Sequence, residues 1–321
     1  MTVIAQAGRH RLKRSKTAGM KLLRGGEFLM GSDAHYPEEA PVRWAVVGDF
    51  WIDEHPVTNR QFAVFVAETG YVTFAETAPD PRQYPGLPPE MARAGSAVFT
   101  PPDTPVDLGD SRAWWRFVFG ADWRNPLGPD TSAPAILDHP VVQVAYADAQ
   151  AYAEWAGKAL PSEDEWEYAA RGGRPNESYA WGNELVPEGR MMANYWQGAF
   201  PWENTAEDGF ERTSPVRSFP PNGFGLYDMI GNVWEWTVDW YSPAVAENGS
   251  ACCGAPRSGM AAEIESHDPS TAAAGAPGKV LKGGSHLCSP NYCQRYRPAA
   301  RYPQPVDSPT SHIGFRCIAR R

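Results

Sequence analysis

Basic charge is in short supply. The 321-residue chain has 29 Lys and Arg against 38 Asp and Glu, a formal net charge of -9. No basic stripe runs along it, which argues against a nucleic-acid partner. The one basic cluster, RHRLKR from Arg9 to Arg14, lies in a polar stretch that reads as a disordered N-terminal tail over residues 1–20. Long hydrophobic runs are missing, so no membrane span is expected. No apolar segment follows the basic start, as a secretory signal would require. The expected location is therefore cytoplasmic, where thiols stay reduced. Cysteines number only five. The tripeptides NES at Asn176 and NGS at Asn248 match glycosylation sequons but carry no meaning without secretion. Internal repeats, a P-loop and a G-x-S-x-G elbow are also missing, and no long helical period runs through the chain.

Aromatic residues, glycine and proline are plentiful: 13 Trp, 13 Tyr, 13 Phe, 30 Gly and 31 Pro. That composition fits a loop-rich fold held by aromatic packing. Order is expected to begin near Lys21, with a strand and turn in KLLRGGEFLMGS. Three helices are expected. Thr58 and Gln61 form a capping box before an apolar face of Phe62, Phe65 and Val66, with Gly70 as the stop. AYADAQAYAEWAGK ends near Gly157. Ser162 and Glu165 form a second box, with Gly172 at the end. The stretch from Phe74 to Leu137 shows no period and reads as structured surface loops. Trp114 and Trp115 within it read as core. The segment 243–278 is rich in Ala, Gly, Ser and Pro, holds Cys252 and Cys253, and reads as a variable insertion. Residues 21–321 are otherwise expected to form one domain.

Near the C-terminus stands GGSHLCSPNYCQRYRPAAR, with Cys288 and Cys293. Residues five apart point about 140° away from each other on an α-helix. On a strand they face opposite sides. The two thiols can converge only if the backbone turns, and Ser289, Pro290 and Asn291 permit a turn. Convergent thiols suit a disulfide, a soft-metal site or a redox pair, and the spacing alone equally allows two unrelated buried thiols. Zinc usually takes four N or S ligands, and no second CxxC or His pair completes a set. His286 and His312 could join, but a lone histidine is more often structural. A second constellation is rich in oxygen. Asn194 and Asp208 stand in ANYWQGAFPWENTAEDGF, and Asp228 and Glu235 in YDMIGNVWEW. Such oxygens, joined by loop carbonyls, are what Ca²⁺ requires, although the same residues also serve as ordinary turn and cap groups.

Together, GGEFLMGS, VTNRQFAVFV, HPVVQVAYADAQAYAEWAGKALPSEDEWEYAARGG, FPPNGFGLYDMIGNVWEWTVDW, KGGSHLCSPNYCQRYRPAAR and SHIGFRC resemble the formylglycine-generating enzymes, or sulfatase-modifying factors. The resemblance runs from about residue 20 to the end. GNVWEW and GFRC mark a wider superfamily, and the cysteine pair marks its catalytic branch. The resemblance implies a single irregular α+β domain similar to C-type lectins. It implies oxidation by dioxygen of the cysteine in a Cys-x-Pro-x-Arg motif of unfolded or nascent sulfatases, giving Cα-formylglycine. By the same resemblance, Cys288 and Cys293 hold Cu(I), Ser285 lies beside them and Trp234 lines the site. One structural calcium would take the side chains of Asn194 and Asp208 and the carbonyls of Tyr195 and Phe210. A second would take Asp228, Glu235 and the carbonyls of Gly231 and Val233.

Ala153, Ala170 and Pro298 stand where some secreted members carry extra disulfide cysteines. Cys317 is thereby left as a buried thiol, and the loss fits a bacterial, cytoplasmic protein. Two other readings remain. A non-catalytic lectin-like module binding a peptide or glycan would have no use for convergent thiols. An iron-dependent C–S bond-forming enzyme would need a three-histidine site, for which seven histidines and no suitable helix leave little room.

Overall fold

The computed structural model describes residues 16–82, 84, 86–129, 136–242, 263, 266 and 276–321. The basic cluster, most of the 1–20 tail, Asn248, Cys252, Cys253 and nearly all of the 243–278 insertion lie outside the described residues. Strands β1 (Met20–Leu23) and β2 (Gly26–Met30) occupy the stretch read as strand and turn.

Both capping boxes form. At the start of α1 (Asn59–Thr69), Thr58 Oγ1 accepts from Gln61 N (3.3 Å) and Gln61 Oε1 accepts from Thr58 N (2.8 Å). Gly70 ends the helix with φ 70°, a conformation open to residues without a Cβ. Ser162 and Glu165 repeat the exchange at α3 (Glu163–Arg171), and Gly172 closes it. Such a cap contributes about 1 kcal/mol. Helix α2 (Tyr146–Trp155) has Ala145 at its cap, and the Asp148 carboxylate takes up the Ala145 N–H at 2.8 Å.

The remaining strands are β3 (Arg43–Val47), β4 (Phe50–Asp53), β5 (Gly95–Phe99), β6 (Trp115–Phe119), β7 (Trp234–Trp240), β8 (Gly278–Lys282), β9 (Arg301–Pro305), β10 (Ile313–Gly314) and β11 (Ile318–Arg320). They form a three-stranded sheet β1-β4-β11, a four-stranded sheet β10-β7-β8-β9, and the ribbons β2-β3 and β5-β6. Both β1 and β11 pair with β4, so the two ends of the described chain meet in one sheet. The fold is an irregular α+β domain with much of its chain in loops and turns.

The β5-β6 ribbon departs from the expectation of loops between Phe74 and Leu137. Its strands are only five residues each, and the partly exposed β6 lacks a clean inward-outward alternation, so no period of two shows. The large core gathers Phe62, Tyr152, Trp166, Trp236 and Phe315, all buried. Burying one such ring contributes about 2–3 kcal/mol. A smaller cluster holds Trp114 with Phe99, Trp196, Phe200 and Leu287, while Trp115 is only partly buried against it. No helix among the described residues is long and apolar enough to cross a membrane.

Candidate active site

The cysteine stretch is the loop between β8 and β9. It leaves β8 through Gly283 and Gly284, at φ 93° and 70°. A Cβ on Gly284 would lie 2.5 Å from the Arg295 carbonyl oxygen, and one on Gly283 would lie 2.9 Å from the Trp166 ring. The diglycine therefore lets the outgoing and returning limbs touch. Beyond it, Cys288 N donates to Ser285 O (2.9 Å). Cys293 N donates to Ser289 O (3.0 Å), and Ser289 N donates to Cys293 O (2.9 Å). The backbone thus turns between the cysteines and brings their sulfurs to 3.5 Å. A disulfide requires about 2.05 Å, so these are two free thiols in contact.

The two sulfurs are unequal. Cys288 is fully buried, and loss of water pushes its pKa well above the usual thiol value. Cys293 is half-buried, and its pKa falls to about 6. The hydrogen bond from Cys288 is the main cause, and the Arg295 guanidinium, with Nη1 3.7 Å from the Cys293 sulfur, adds to it. Near neutral pH the pair holds one proton, carried by Cys288 and directed at a Cys293 thiolate.

Ser285 is buried beside the pair. Its N–H donates to Cys288 Sγ (3.4 Å) and its hydroxyl accepts from Leu287 N (3.2 Å). Trp234 is buried in the apolar cluster that also holds Cys288 and borders Cys293. Its ring lies 6.0 Å from that of Tyr302, and Tyr302 lies 5.2 Å beneath Arg295. His286 and His312 serve the scaffold. His286 Nδ1 bonds Asn232 O (2.8 Å) and His312 Nδ1 bonds Thr310 Oγ1 (2.6 Å). Burial pulls their pKa values down to about 4 and about 3. Among the described residues, no group of three His, Cys, Asp or Glu converges as a metal site. The two soft sulfurs at the turn suit a monovalent soft ion such as Cu(I).

The two oxygen-rich sets differ. In the first, Asp208 accepts from Tyr195 N (3.2 Å) and Phe210 N (2.9 Å), and burial raises its pKa. The Gln197 amide sits against both the Tyr195 carbonyl and Asp208 Oδ2, filling the place between two oxygens that a hard cation would share. Buried Asn194 gives its amide N–H to Arg212 O (2.8 Å), which leaves Oδ1 as its donor atom toward a cation. This set fits Ca²⁺.

The second set does not fit as expected. Both Glu235 oxygens are committed. Arg316 reaches them at 2.8–3.0 Å, and Trp166 Nε1 donates to Oε2 at 2.8 Å. Asp228 is half-buried, accepts from Arg217 N (2.8 Å) and has its pKa raised to about 6 by desolvation. Gly231 lies close against the Asn194 backbone, at φ 75°. Val233 is buried just before β7. A cation here would displace a buried ion pair, and no local motif marks Arg316 as the partner of Glu235.

Other neighbours were missed as well. Arg295 stands in CQRYR, and no local pattern marks it as facing a sulfur. Tyr36 and Glu38, which hold Arg295, lie more than 250 residues away in the chain. Tyr292 stacks on Phe200, with centroids 4.6 Å apart, and stays 41% exposed beside the thiols.

A thiol pair on a glycine-hinged loop of an irregular α+β domain defines the class. The sulfatase-modifying factor enzyme 1-like domain model matches residues 6–321, and the chain belongs to this family. A formylglycine-generating enzyme of Mycobacterium tuberculosis is 53% identical over 299 residues, covering 92% of this chain and 96% of that protein. The family also reaches a Bos taurus protein named inactive C-alpha-formylglycine-generating enzyme 2, 37% identical over 315 residues, covering 96% of this chain and 90% of that protein. Among solved structures, PvdO from Pseudomonas aeruginosa matches with a TM-score of 0.63 at 25% identity, covering 94% of each chain.

Proposed function

We propose that this chain converts the cysteine of a Cys-x-Pro-x-Arg motif in a sulfatase polypeptide to Cα-formylglycine, with dioxygen as oxidant and Cu(I) held by Cys288 and Cys293. The observation that carries the reading is the pair of free sulfurs 3.5 Å apart, one buried and one half-exposed. When bound, Cu(I) would offer the substrate sulfur a soft partner and pass electrons to dioxygen. The protein supplies position and environment. Cys288 anchors the site from the buried side, while Cys293 faces the side from which a substrate thiol can arrive. Trp234 and Tyr302 form an aromatic wall, and Ser285 fixes Cys288 through its backbone N–H. The whole conversion balances when substrate thiol, dioxygen and two reducing equivalents give aldehyde, hydrogen sulfide and water. A reductant is therefore part of the reaction.

Ca²⁺ on Asn194, Asp208 and the Tyr195 and Phe210 carbonyls would brace the loop that carries Trp196. Trp196 N donates to Cys288 O at 2.9 Å, so that loop touches the thiol turn directly. The proposed location is the cytoplasm, where the thiols stay reduced. A purely binding role would leave the two convergent thiols without a use.

The test is incubation of the protein with a Cys-x-Pro-x-Arg peptide, Cu(I), reductant and air. Mass analysis should show sulfur replaced by oxygen with loss of two hydrogens. An unchanged peptide, with the protein folded and copper-loaded, would refute the reading.

A further inference from the structure

Arg295 is gripped by a distant part of the chain. Its Nη2 donates to Glu38 Oε1 (2.5 Å), and its Nη1 points at Cys293 Sγ (3.7 Å). Its guanidinium carbon lies 3.8 Å from the Tyr36 ring centroid. The Tyr36 hydroxyl accepts from Gln294 N at 3.0 Å. Two residues on, Arg297 pairs with both oxygens of buried Glu39, one of them at 2.6 Å, and faces the same Tyr36 ring at 5.6 Å. The segment Tyr36–Glu39 thus lies as a strap across the limb that follows Cys293. It leaves Arg295 few ways to turn from the sulfur.

That arrangement has a consequence for charge. Two thiolates around one monovalent cation sum to -1, and a substrate thiolate makes -2. A centre partly closed to water holds such charge better beside a fixed positive group. Arg295 presents one. Glu38 neutralises its far side, so the Arg–Glu pair acts as a dipole with its positive end at Cys293.

We propose that Arg295 is a positioning residue for the metal-binding turn: strapped by Tyr36 and Glu38, it holds the Cys293 sulfur and balances the negative charge of a two-thiolate Cu(I) centre. The inference rests on the copper reading above.

The experiment is anaerobic competition between the full-length reduced protein and a colorimetric Cu(I) chelator, with Arg295→Met and Arg295→Lys alongside the parent. Melting curves confirm that each variant is folded. The parent should hold Cu(I), and Arg295→Lys should stay close to it because the charge remains. Arg295→Met should bind at least ~10-fold more weakly, the scale of one charge-assisted contact in a site partly closed to water. Should Arg295→Met not fold, Arg295→Gln replaces it with the same expectation. A parent that takes up no Cu(I) overturns the copper reading, and this inference with it. A parent that binds while the neutral variants bind equally well overturns this inference alone. Loss in the Lys variant equal to that in Met would show that charge is not the cause, and would also overturn it.

Discussion

Removing the Cys288 thiol should silence its neighbour without touching it. In the metal-free reduced protein, the Cys293 pKa is about 6, chiefly because Cys288 donates a hydrogen bond to it. Above that pH Cys293 is a thiolate, and below it the thiolate is lost. At pH 7 about nine-tenths is ionised, since the pH lies one unit above the pKa. Cys288→Ala removes the donor. An ordinary thiol near pKa 8.5 would be only a few per cent ionised at pH 7. Arg295 remains in place, so the fall stops short of that limit, and about a tenfold loss of thiolate is expected.

The measurement is the rate of iodoacetamide alkylation from pH 5 to 9, read by mass on the peptide that contains Cys293. Peptide mapping matters because the chain has five cysteines. The inflection is the useful quantity, because a lower pKa also lowers the intrinsic nucleophilicity of the thiolate. The parent should inflect near 6 and Cys288→Ala well above 7. Superimposable profiles would refute the hydrogen-bonded pair. A parent inflecting near the free-thiol value would refute the asymmetry as well. The same shift links to stability. The depressed pKa contributes stability above the unfolded thiol pKa, and this is lost as pH falls through about 6.

Cys293→Ser should lower peptide conversion below detection while leaving the melting temperature within a few degrees, since the half-exposed sulfur contributes little core; near-normal aldehyde yield would be decisive against the site. Cys317→Ser should keep activity within about twofold, because that buried thiol sits beside Asp53, which accepts from the Cys317 backbone N–H, and lies off the reactive turn. Chelation of calcium should lower the melting temperature more than activity per folded molecule, and metal analysis should find about one Ca²⁺ per chain rather than two. Glu167→Leu should cost about 3–5 kcal/mol, because it strips buried Lys282 and Arg171 of their shared carboxylate; thermal unfolding should show this as a drop on the order of 10 °C.

Local signals were the legible part of this sequence. Thr58 with Gln61, and Ser162 with Glu165, announce helix starts because each box is complete within four residues. Gly70 and Gly172 announce the stops for the same reason. The turn at Ser289–Asn291 follows from residue types, and so does the possibility that the two thiols meet. Partnerships across the chain were illegible. Glu235 sits beside Trp234 and Trp236 in a motif that suggests a loop ligand, yet its partner is Arg316, 81 residues on. Glu38 reaches Arg295 over 257 residues. No periodicity encodes such pairs, because they arise from how sheets and loops are stacked. The β5-β6 ribbon was hidden by brevity: five residues of mixed exposure carry too few alternations to stand out.

The positions where the family resemblance places extra disulfide cysteines hold Ala153, Ala170 and Pro298, all buried. The cysteine loop must therefore be pinned by other means, and the means is ionic. At its base, Lys282 at the end of β8 and Arg301 at the start of β9 both meet α3. Lys282 pairs with Glu167 (2.9 Å), and Arg301 pairs with Glu163 (2.9 Å). The two carboxylates stand four residues apart, on one face of the helix. On the returning limb, Arg295 and Arg297 meet Glu38 and Glu39 in the same pairwise order. Buried pairs add little net stability, because desolvation offsets much of their attraction. Their value here lies in register. Sliding the loop by one residue would strand several buried charges at once, each at a cost of several kcal/mol. The four pairs thus leave one position for the loop, and with it one separation for the Cys288 and Cys293 sulfurs.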